Sequence, residues 1–239
     1  MIVINKKEEK MFKKIEPLSK EKHQDLRFDK INGYEFARNI TNTPLSASEF
    51  RQAGRYYPVV FPTDGAFPMI LFALNQQTNL YLNQDGSWKV PYVPAYIRRY
   101  PFVLVKSDKE EGSKENYIFC IDTEAPHFAS DQGEPLFTAN GDLGDVSRKA
   151  LKFLEMYQSE LTTTRTLCQE LESKEILVGK EVSFEKEGQQ TKIGGFRCVD
   201  VEKMNKLDDA VLAQWVRNGL MGLILTHLQS VENIKAFTR

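Results

Sequence analysis

Cysteine and histidine are both scarce in this chain, with three of each in 239 residues. Cys120, Cys168 and Cys198 are odd in number and lack metal-ligand spacing. A disulfide framework and a zinc knuckle are therefore not expected; reduced thiols in a reducing compartment are. His23, His127 and His227 do not combine into His-Glu-x-x-His, so the usual zinc-hydrolase helix is excluded. No Gly-x-Gly-x-x-Gly or phosphate-cradling Gly-Lys-Ser/Thr loop occurs, nor a Gly-x-Ser-x-Gly elbow. No cofactor and no metal is expected.

Charge of one sign is lacking too. The 32 basic and 33 acidic residues leave a net charge near −1, so no global field draws in nucleic acid. Long apolar runs are absent, and Leu220 to Leu225 is far too short to span a bilayer. Lys6 to Lys14 alternates charges with no apolar signal-peptide core behind it. The expectation is a cytoplasmic protein without a membrane span. Residues 1–16 read as a mobile N-terminal segment and 17–239 as a single domain.

What is present is an ordinary globular composition, 41% hydrophobic and 27% charged. A chain this long can bury roughly 70% of its unfolded surface and needs no staples. Strand candidates dominate the first half: Tyr34 to Ala37, Tyr57 to Phe61, Phe102 to Val105 and Tyr117 to Ile121. Leu80 to Leu82 and Trp88 to Val90 flank Asp85-Gly86, a hairpin signal. Ser46 and Glu49 form a capping-box pattern, which predicts a helix over 47–55. Met69 to Leu74 reads as a short helix. The charged stretch 106–116 reads as a loop with a mobile tip. Later, Asp145 to Gln158 repeats apolar residues near a 3.6 period, and Thr162 to Ser173 reads as a second helix or its extension. A hairpin over 182–193, a strand Gly195 to Val199 and helices over 208–217 and 220–237 complete the pattern. Strands first and helices later predict an α+β fold, a mostly antiparallel sheet covered by helices of the C-terminal half.

The densest unusual segment is Tyr92-Val93-Pro94-Ala95-Tyr96-Ile97-Arg98-Arg99-Tyr100-Pro101-Phe102. Arg98 and Arg99 can clamp an anion in bidentate fashion while Tyr92, Tyr96 or Tyr100 stacks beside it. The competing reading is structural: one arginine buried against an acid such as Asp122, with the tyrosines filling core. Adjacent residues point in different directions, so the two arginines are expected to differ, one buried and one facing a cleft. His227 lies on the apolar face of its helix and reads as a core histidine or as a general base. His23 and His127 are expected to be exposed. Asp122, Glu124, Asp200 and Glu202 end two similar strands, and form a cation site only if those strands lie side by side.

Several blocks resemble the SapC family, named for a bacterial S-layer protein locus. They are Pro17 to His23, Tyr34 to Asn39, Pro44-Leu45 through Glu49-Phe50, and Tyr57 to Phe61. Asn79-Leu80-Tyr81, Asp85-Gly86-x-Trp88, the whole Tyr92 to Phe102 block, Cys120-Ile121-Asp122 and Thr226 to Ser230 also fit. The resemblance runs from about residue 16 to the end. It implies a bacterial protein linked by locus to surface-layer export, with a surface or exported protein or peptide as partner. It carries no catalytic residues, but places Arg98, Arg99 and His227 inside recurrent blocks. Two functions follow: a non-enzymatic accessory or binding protein holding an anionic or peptide ligand, or an enzyme with His227 as base and Arg98 or Arg99 as anion stabiliser.

Overall fold

A computed structural model of the chain describes residues 11–31, 33–73, 78–107, 117–129, 132–186 and 189–238. Among them every strand pairing is antiparallel and the long helices lie in the C-terminal half, so the fold is α+β. The strands are shared among four small sheets. Proline is the reason: Pro17, Pro44 and Pro135 end strands, and Pro58, Pro68 and Pro101 stand immediately before others. Each lacks the amide that a continuing ladder requires.

The chain divides into two compact units: Met1–Ile40, Leu82–Trp88 and Ile97–Gln158 in the first, and Thr41–Tyr81, Lys89–Tyr96 and Ser159–Arg239 in the second.

In the first unit the strand Tyr117–Asp122 is central, paired with Phe102–Lys106 on one side and Ile15–Pro17 on the other. Arg27–Phe28 pairs with Glu134–Pro135. Phe102, Ile121, Leu136, Phe137 and Leu154 form its core. Each such side chain contributes roughly 1.5–3 kcal/mol when fully buried. Of the lead-in expected over 1–16, residues 1–10 lie outside the described part. Met11 and Phe12 are buried, and Phe12 packs on Tyr100 with ring centroids 5.2 Å apart. Residues 108–116, expected as a mobile tip, also lie outside the described residues. Tyr34 to Ala37 is a 3-10 turn over Glu35–Ala37 instead of a strand. The Asp85-Gly86 turn closes a bridge between Leu82 and Trp88, with Gly86 at φ +79°, where a Cβ is disfavoured.

In the second unit Met69–Leu71 pairs with both Asn42–Pro44 and Val59–Val60. The short helix expected there is a strand, because so short an apolar run has no period to declare and its two partners decide. Leu177–Lys186 and Gln189–Val199 form one long hairpin, bulged between Ile193 and Phe196. Ser46 and Glu49 do form the capping box; a 3-10 turn Ala47–Glu49 leads into the helix Phe50–Ala53. Asp209–Arg217 and Leu220–Ser230 follow, and the last predicted helix tightens to 3-10 geometry over Val231–Thr238. Phe61, Leu171, Ile176, Trp215 and Ile224 build the core.

The helix Asp145–Ser173 is unbroken. In its threonine-rich middle Thr163, Thr164 and Thr166 each donate to the carbonyl four residues back, at 3.2, 2.6 and 3.3 Å, which satisfies the hydroxyls without breaking the helix.

Candidate ligand-binding cleft

Pro94 ends the extended start of the Tyr92 to Phe102 block, and Ala95–Arg98 makes one helical turn before the strand Phe102–Lys106. Neighbours on a helical turn diverge by about 100°, so Arg98 and Arg99 depart in different directions. Arg99 is buried, 8% exposed, with its guanidinium carbon 5.5 Å from the centre of the Phe12 ring. Arg98 is exposed, its guanidinium 5.3 Å from the Phe153 ring. One arginine sits inside the first unit and the other on its surface.

Tyr100 follows Arg99 inward. Its ring stacks on Phe36 at 4.1 Å and meets His127 edge-on at 5.3 Å. Its hydroxyl donates to Oδ2 of Asp122 at 3.0 Å. Burial, reinforced by the Asp122 charge, pushes this phenol far above its usual range, so it remains a donor. The fully buried Asp122 also accepts from the amides of Lys13 and Lys14, both at 2.9 Å. It thereby ties Met11 to Pro17 to the strand that carries it.

Arg98 and Tyr100 line a cleft of about 390 Å³ within the first unit. Its walls are Phe28, Ile31, Tyr34, Phe36, Ile97 and Phe153, with Gly33 and His127; Lys30 and Arg98 are its cations. The volume lies in the range of small-ligand pockets, which are mostly apolar with few polar anchors.

His127, expected to be exposed, is 6% exposed, because Phe28 stacks on it at 5.4 Å while Phe36 and Tyr100 close around it. Burial lowers its pKa to about 4 despite the opposing pull of Asp122 and Asp29, so the imidazole is neutral near pH 7. His23 is likewise buried, with Nδ1 accepting from the amide of Ser19 at 3.1 Å. Nothing in the sequence neighbouring His127 announces the rings that bury it, which come from positions 28, 36 and 100.

Tyr92 and Tyr96 belong to the second unit and do not line this cleft. The Tyr92 hydroxyl donates to Oε1 of the buried Glu49 at 2.7 Å, and Tyr96 is buried. His227 is also in the second unit, without exposed surface. Val199 donates its amide to Nε2 at 3.1 Å, which leaves Nδ1 protonated to donate to the carbonyl of Val59 at 2.7 Å. Burial lowers its pKa to about 4, against the opposing effect of the Val59 hydrogen bond.

The two similar strand ends lie in different sheets, so the condition for a shared cation site is not met. Asp200 instead caps the helix Val201–Met204, accepting from Glu202 and Lys203. Among the described residues no group of acids, histidines and cysteines is arranged to hold a metal ion.

A family model described as SapC matches residues 18–237, nearly the whole chain. The chain belongs to the SapC family. All the cleft residues, from Phe28 to Phe153, fall inside the SapC span. No curated protein and no solved structure matches the chain. Among the described residues of this SapC member no helix is long and apolar enough to cross a membrane.

Proposed function

We propose that this SapC-family chain is a non-enzymatic binding protein whose cleft in the first unit holds the anionic end of a ligand. The supporting observation is the split between the arginines. Arg99 is buried on Phe12, whereas Arg98 stands exposed at the edge of a pocket walled by aromatic rings. A guanidinium beside apolar walls meets a carboxylate bidentately while the ligand's body displaces water from the rings. Neutral His127 adds no charge there. The family's link to a surface-layer locus favours a surface or exported protein, presenting a peptide, as the ligand's source. A reducing intracellular site accords with three buried cysteines that form no disulfide among the described residues.

The alternative, an enzyme with His227 as base, loses its base. That imidazole has no surface and both its nitrogens are engaged by backbone groups. Calorimetric titration with short peptides ending in an aromatic residue, as free acid and as amide, tests the proposal. The acid is expected to bind and the amide to bind at least about tenfold more weakly. Equal affinities would remove the role given to Arg98.

A further inference from the structure

The second unit carries a hollow of a different kind, about 240 Å³, lined by Arg51, Gly54, Arg55, Thr226 and Gln229. Two arginines line it, four positions apart in the chain, and among the described residues no Asp or Glu does. Among the described residues neither arginine has a hydrogen-bond or ion-pair partner. The chain has 33 acidic residues to distribute, and three other arginines use them: Arg38 on Glu35, Arg148 on Asp145, Arg197 on Glu172. Two like charges in one concave site repel each other unless an anion joins them.

We infer that this hollow is a phosphoryl-binding site for a small phosphomonoester. The charge balance favours that class. A phosphomonoester carries about −1.5 to −2 at pH 7, which two guanidiniums neutralise, whereas a carboxylate or a phosphodiester brings a single charge. The donors suit it as well. The Thr226 hydroxyl is committed to the carbonyl of Gly222 at 2.9 Å, so the two guanidinium forks and the Gln229 amide are left to meet the phosphoryl oxygens. The hollow has room for a phosphate and a short polar body. Among the described residues no aromatic side chain lines it for a nucleobase to stack against.

The site is separate from the aromatic cleft in residues, and its test is separate too. The intact chain is titrated calorimetrically with glycerol phosphate, inorganic phosphate, dimethyl phosphate and acetate. The phosphoryl dianions are expected to bind. Arg51→Gln and Arg55→Gln should each weaken them by about tenfold or more, and the double variant should abolish binding. Arg98→Ala should leave this binding unchanged, so that failure here is distinguishable from failure of the cleft. Unaltered thermal midpoints in the arginine variants show that the fold is kept. Tighter binding of glycerol phosphate than of inorganic phosphate identifies an ester as the ligand. Equal binding identifies free phosphate and withdraws the ester. No binding of either dianion at about 10 mM, retention in the double variant, or equal binding of dimethyl phosphate and acetate overturns the site.

Discussion

Oε1 of Glu49 accepts hydrogen bonds from both the hydroxyl of Tyr92 and the amide of Ala95, each at 2.7 Å. The same carboxylate closes the capping box, with Oε2 accepting from the amide and hydroxyl of Ser46 at 3.3 and 2.9 Å. One buried acid therefore both starts a helix and fixes the entry to the arginine block. Glu49→Ala strands several buried donors at once, and a loss of about 3 kcal/mol is expected. Urea denaturation checks this. A midpoint within error of wild type would mean that water satisfies those donors as well as the carboxylate does.

Arg98→Ala and Arg99→Ala should separate cleanly. Arg98 is exposed, so its loss should change stability by less than about 1 kcal/mol and should act on ligand binding. Arg99 is buried on Phe12, and its removal leaves a cavity where a long stem and its charge had packed. A loss of more than about 2 kcal/mol is expected. The reverse ranking in thermal melts would reject the assignment.

Acid should destabilise the protein through its buried histidines. His127 and His227 each stand at about 4 in the fold, against about 6.5 unfolded. Between those values the unfolded chain binds the extra protons, so stability rises with pH across the window. It is fully present above about pH 6.5 and is lost as pH falls toward 4, with a ceiling of about 3 kcal/mol per histidine. Urea midpoints measured from pH 7 down to 4.5 follow this directly. His227→Gln should flatten the slope; an unchanged slope would assign the acid response to other groups.

The three thiols should be inert in the native state. All are buried, and burial pushes Cys168 up to about 12 and Cys198 up to about 11. Titration of unreduced protein should find three reactive groups in denaturant and almost none without it. A single reactive group in denaturant would reveal a disulfide.

The sequence by itself determined whatever rests on neighbours along the chain. The capping box at Ser46 and Glu49 needs two residues three apart, and both bonds form as the pattern demands. The α+β class follows from the order of strand-like and helix-like periods. The apolar stripe of Leu220, Ile224 and His227 placed that histidine in a core. The divergence of Arg98 and Arg99 follows from the pitch of any helical turn.

Tertiary structure decided everything that depends on residues distant in the chain. Met69 to Leu71 is a strand because two partners bond to it, and an isolated apolar triplet carries no period to announce this. His127 is buried because Phe28, Phe36 and Tyr100 converge on it from separate segments. The cleft itself gathers rings from positions 28 to 153. Local preference is written residue by residue along the chain, whereas a pocket comes from the simultaneous packing of segments whose separation no period records.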